Sequence, residues 1–192
     1  MADASPERVT RGKDGQSWRI GSGAEVEWIA AGTSTGLTIT SAIPPVFGSY
    51  ATIVIPDDLD ARAEHDRLVL DLLRRQAGAG PWWLGYLETG SDDVIFPDAP
   101  RVSLYAGWNY VLVEAGPDQA ARWREDPLSV HTIPELVFPA DRSWLLSTLW
   151  DDDWRCLGGP AGLIEVFGDE AGLEVRVVGT EEDATPPGHV AY

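Results

Sequence analysis

Glycine and proline cut this chain into short lengths, and that punctuation constrains its fold more than any other feature. Pro44-Pro45, Pro56, Gly78 to Pro81, Gly116-Pro117, Gly158-Gly159-Pro160 and Pro186-Pro187-Gly188 each interrupt a ladder or a helix. One long helix fits between them. It is capped by Asp57 or Asp58, runs to about Gln76, and takes its apolar face from Leu68, Val69, Leu72 and Leu73. Short β-rich runs fill most of the rest. Ser17 to Ile20 and Glu25 to Ala31 read as strands across Gly21-Ser22-Gly23. Leu37 to Thr40 and Tyr50 to Ile55 follow as further strands. Trp82 to Glu88 and Val94 to Phe96 form one expected hairpin, and Val102 to Ala106 with Tyr110 to Glu114 another.

The stretch 127–142 reads as irregular, with a turn of helix near Pro134-Glu135-Leu136. Ser143 to Leu149 and Trp154 to Leu157 read as strands, and Leu173 to Val178 as the last strand. Two segments share a plan of strand, Gly-Pro and helix: Tyr110 to Arg124 and Trp154 to Gly168. Strands outnumber helices and hairpins dominate. The expected class is α+β, a mainly antiparallel β-sheet packed by about three helices. The expected organisation is a flexible arm over 1–16, one domain over 17–180 and a loose tail over 181–192.

The chain has 192 residues and a formal net charge of -17, with 31 acids against 14 Lys and Arg. Such a surface repels phosphate backbones and anionic lipid, so neither nucleic acid nor membrane is an expected partner. No apolar run approaches the roughly 20 residues that span a bilayer. Cys156 is the sole cysteine, which excludes an intrachain disulfide and makes the cytoplasm the default compartment. A single lysine among the basic residues, with many Ala and Gly, suggests a high-GC bacterial genome.

Trp150-Asp151-Asp152-Asp153-Trp154 concentrates the unusual chemistry. Its neighbours predict a hairpin turn, in which carboxylates are readily solvated. The two indoles make the turn a contact candidate, with one ring anchoring the hairpin and the other exposed. Asp92 and Asp93, in another predicted turn, are second candidates. Aromatic groups supply contact energy and carboxylates steer a basic partner. A cation at Asp151, Asp152 and Asp153 is disfavoured, because hard-cation loops space their ligands around a glycine turn.

A ligand cleft is the competing expectation. Nine tryptophans are many for this length, and indole faces stack on sugars and other flat groups. Glu88 and Glu114 are candidates for a paired acid and base, with Trp82, Trp83 and Trp108 as walls. One ring of Trp82-Trp83 is expected inward and its neighbour outward. Gly32-Thr33-Ser34-Thr35-Gly36 matches a nucleophile elbow in letters only, because a hairpin turn is predicted where that elbow requires a strand before and a helix after. Cys156 reads as a small buried hydrophobe. No catalytic set, cofactor motif or metal-ligand spacing emerges. The overall character is similar to that of bacterial immunity proteins, which are small, acidic, Trp-rich and α+β, although no motif is shared residue by residue. The expectation is a non-enzymatic, immunity- or inhibitor-type module that binds a basic protein, with no cofactor. The alternative is a small-molecule or carbohydrate binder, with hydrolysis by paired carboxylates as one form of it. Oligomeric state is not legible.

Overall fold

A computed structural model describes residues 9–11, 15–76, 80–88, 96–123, 133–149 and 152–191. Among the described residues, ten strands form one sheet, and every pairing is antiparallel. In chain order they are β1 (Val9–Arg11), β2 (Ser17–Ile20), β3 (Ser49–Val54), β4 (Trp82–Leu87), β5 (Val102–Leu104), β6 (Trp108–Ala115), β7 (Leu136–Pro139), β8 (Leu145–Ser147), β9 (Trp154–Gly159) and β10 (Val175–Val177). Their spatial order is β1-β2-β6-β4-β7-β8-β9-β3-β10, with β5 paired to the start of β6. The helices are α1 (Gly23–Gly32), α2 (Leu59–Gln76), α3 (Pro117–Arg122) and α4 (Ala161–Gly168), with a 3₁₀ turn over Ile39–Ser41. The expected α+β class holds, and the sheet dominates it.

Side-chain alternation divides the core between the two faces of the sheet. On one face, Ile53, Leu84, Val111, Val113, Val137 and Leu157 pack against α2, α3 and α4 through Val69, Leu73, Ala120, Leu163 and Phe167. On the other, Tyr50, Trp83, Leu112, Phe138, Leu145 and Cys156 pack against α1 and the 3₁₀ turn through Val26, Ile29, Ile39 and Ile43. Because both faces are covered, β4, β7, β8 and β9 are buried at every residue. Such strands read as unbroken apolar runs, unlike the half-solvated strands of most antiparallel sheets. Trp82 and Trp83 are therefore both buried, on opposite faces, and the outward ring expected from alternation is covered by α1.

Several expectations need correction. Glu25 to Ala31 is helix α1, not a strand. Its start is fixed by a capping box, in which Ala24 N donates to Ser22 Oγ at 3.3 Å and Ser22 N donates to Glu25 Oε2 at 2.6 Å. Leu37 to Thr40 forms a single bridge, Thr38 to Asp183, and then the 3₁₀ turn. Leu136–Pro139 is a central strand and not a turn of helix, since Pro139 ends a run buried on both faces. Part of the expected arm, Val9–Arg11, is the edge strand β1. The expected tail is fastened: Ala184 N donates to Leu37 O at 2.7 Å, and Ala184 is buried. Val94 lies outside the described residues, and Phe96 belongs to no strand. Both strand-to-helix turns that open on proline carry their helices, α3 and α4, onto the same face.

Candidate binding cleft

The segment after β8 is shaped by pairing on both sides of it. Leu145 lies opposite Gly158 and Ser147 opposite Cys156, so β8 and β9 form the expected hairpin. Thr148 N donates to Glu135 O at 2.7 Å, and Ile55 N to Asp153 O at 2.8 Å. Beneath the hairpin, Arg155 is buried on the helical face. Its Nη2 donates to Asp66 Oδ1 of α2 at 2.6 Å, and its Nη1 to Thr148 Oγ1 at 3.1 Å. His65 Nδ1 lies 3.1 Å from the same Asp66 oxygen. This buried cluster ties the hairpin base to α2.

Trp150 and Asp151 lie outside the described residues, as do Asp92 and Asp93. Trp154 is 4% exposed and packs in the core, as an anchoring ring would. Its ring meets the edge of His189 at 6.2 Å, and His189 Nδ1 lies 2.8 Å from Asp153 Oδ2. Asp153 is exposed and Asp152 half-buried. Asp183 secures the C-terminal segment here: Thr185 N donates to its Oδ1 at 2.9 Å, and Arg176 Nη1 donates to Asp183 O at 3.0 Å. The bonds from Thr185, with help from the charge of Arg176, hold the Asp183 carboxyl below the usual range.

Next to this turn opens a cleft of about 360 Å³. Thr33, Ser34, Thr35, Ser41 and Ser103 bring hydroxyls to it, while Tyr105, Trp108 and Leu149 form its apolar walls. A narrower slot of about 70 Å³ continues toward Asp152, Trp154 and Cys156, and the two cavities share Gly36, Ser41, Trp108 and Leu149. Local geometry holds the walls in place. Tyr105 sits at φ 56° and Gly107 at φ 91° in the β5–β6 turn. The Tyr105 hydroxyl donates to Ala42 O at 3.0 Å and lies 2.8 Å from Ser147 Oγ. With its one proton given to Ala42, it accepts from Ser147. Burial pushes the Tyr105 phenol up, against the Ser147 bond, so it stays protonated.

The reactive side chains hold structural positions. Ser34 lies between a helix and a 3₁₀ turn, the reverse of an elbow's surroundings, with its Oγ 3.3 Å from Thr40 Oγ1. Burial first, and the charge of Asp152 second, push the Cys156 thiol far up. Glu114 accepts from Arg19 Nη1 at 2.7 Å, and Glu88 from Arg101 Nη2 at 3.0 Å. Trp83 lies opposite Glu114, so Glu88 is five residues further along the ladder, about 17 Å away. That separation exceeds the roughly 5–10 Å between paired glycosidase carboxylates. Trp82 stacks edge-on against Trp144 at 5.1 Å inside the core, and Arg19 lies over Trp83 at 5.2 Å.

The structure thus brings Asp152, Asp153, Trp154 and Trp108 to one end of the sheet; Glu88, opposite Asn109, is at that end but does not line the cleft, and Glu114, Trp82 and Trp83 lie at the other end. Sequence reasoning missed Tyr105, Leu149 and the part played by Thr33 to Gly36. The serine- and threonine-rich composition of 33–41 was the available signal. Among the described residues, no helix is long and apolar enough to cross a membrane. Neither a family model, nor a curated protein, nor a solved structure matches this chain.

Proposed function

We propose that the chain is a non-enzymatic binding protein whose recognition surface is this cleft and the acidic turn beside it, and that its partner is a basic protein. The carrying observation is that the two adjoin: Gly36, Ser41, Trp108 and Leu149 line both the cleft and the slot that Asp152 also lines. A formal charge of -17 favours encounter with a cationic surface. Binding is preferred over catalysis because Glu88, Glu114, Ser34 and Cys156 are each spent on packing or internal bonds. Cytoplasmic residence, in keeping with the free buried Cys156, and an immunity- or inhibitor-type role belong to the same reading.

The test is to capture the partner from the source cell, purify it, and measure its affinity across ionic strength. Asp152→Asn with Asp153→Asn should weaken binding about tenfold and flatten its salt dependence. Capture of no protein, or an affinity indifferent to salt and to both substitutions, would overturn the proposal. One observation favours a second reading. A cleft lined by Ser and Thr residues beside an indole suits a neutral polyhydroxylated ligand such as a sugar, with Trp108 as the stacking wall. Saturable saccharide binding that Trp108→Leu abolishes would select it.

A further inference from the structure

We propose that the cleft and its slot form a socket for one arginine side chain of the partner protein. This rests on the basic-partner reading and adds the residue type taken and the place of its charged head. The shape supplies the first argument. A wide, uncharged mouth narrows past Trp108 and Leu149 into a slot that has a carboxylate at its end. A side chain with an apolar stem and a cationic tip matches that gradient, its stem lying along Leu149 and its head reaching Asp152.

Chemistry selects arginine over lysine. A cation that enters the narrower slot, walled by Trp108, Leu149 and Trp154, gives up part of its hydration. A guanidinium is less strongly hydrated than an ammonium, is flat, and stacks on aromatic faces. Its fork of donors meets acceptors here: the Ser41 hydroxyl at the junction and the Asp152 carboxylate beyond it. The charge of Asp152 reaches into the slot, since it adds to burial in raising the Cys156 thiol.

The experiment titrates the whole protein with capped Gly-Arg-Gly, Gly-Lys-Gly and Gly-citrulline-Gly, followed by NMR shifts into the millimolar range. The arginine peptide should bind saturably and about tenfold more tightly than the other two. Trp108→Leu, Asp152→Asn and Leu149→Trp (which fills the junction) should each weaken it about tenfold, with circular dichroism unchanged. Should Trp108→Leu fail to fold, Asp152→Asn carries the same comparison. Equal binding of the arginine and lysine peptides, indifferent to all three substitutions, sinks the socket but leaves an acidic docking surface standing. Absence of peptide binding also sinks the socket, and the salt dependence of the captured partner then judges the parent reading alone. Binding of a saccharide and no peptide overturns both.

Discussion

Arg155 carries the heaviest single burden in the molecule. It is 1% exposed, as is Asp66, and it reaches from β9 to both α2 and Thr148. A buried ion pair gains little over an apolar pair of the same shape, but breaking it leaves a charge in low dielectric. Arg155→Met should therefore cost about 3–5 kcal/mol in urea unfolding, and Arg155→Met with Asp66→Leu should cost less than the single change. If the double variant is no more stable than the single one, the two side chains are not coupled. No local pattern announces this pair, because 89 residues separate its members. Trp154 is an intermediate case. Its place beside the acidic turn marked it as an anchor candidate from sequence, but the packing that buries it comes from Val54 and His189, far along the chain.

Among the elements, α1 shows how a short-range signal can be overlooked. Glu25 to Ala31 mixes β-branched and aromatic residues with small ones, which suits a strand as well as a helix. Ser22 and Glu25, at capping-box spacing, decide the matter. Burial pulls the Glu25 carboxyl up, but the hydroxyl and backbone bonds of Ser22 outweigh it and leave it below the usual range. A depressed carboxylate contributes stability above its unfolded pKa, and that contribution is lost as pH falls through the folded value. Ser22→Ala should cost about 1 kcal/mol near neutrality. The gap to the parent should narrow in acid, below the ordinary glutamate pKa of about 4.3. A gap that stays constant in denaturation at both pH values would remove Glu25 from the account. Elements whose code is local were legible: α2, α4, the β5–β6 hairpin and the β8–β9 hairpin all stand where periodicity and turn residues put them. Elements defined by partners were not. Leu136–Pro139 looks irregular between its prolines and becomes a strand because β4 and β8 flank it. The cleft was half legible for the same reason: Trp108 and Asp152 stood out as residue types, but the loop from Thr33 to Gly36 gained its meaning from what folds against it.

For the whole molecule, charge opposes compactness. A formal charge of -17 on 192 residues repels itself, and ionic strength screens exposed charges over about 8 Å at physiological salt. The melting temperature should rise as neutral salt increases from low to physiological levels. A flat or falling response would mean that the surface ion pairs, such as those of Arg67 with Glu64 and Asp71, outweigh the general repulsion. The same acidity opposes binding to a phosphate backbone, and it is the ground on which a basic partner is proposed for the cleft.

The position of β3 has a consequence for the order in which the chain can be made. Its two sheet neighbours are β9 and β10, so Tyr50 pairs with Gly158 and Ala51 with Val177. While a ribosome is extending the chain, Ser49–Val54 is made well before either native partner, because Trp154–Gly159 and Val175–Val177 both lie far downstream. Until those are made, a β-prone apolar segment waits with both edges open, which is the state in which nascent chains associate wrongly. The centre of this sheet therefore closes only after β9 has been made, which places its completion after that of the β5–β6 hairpin.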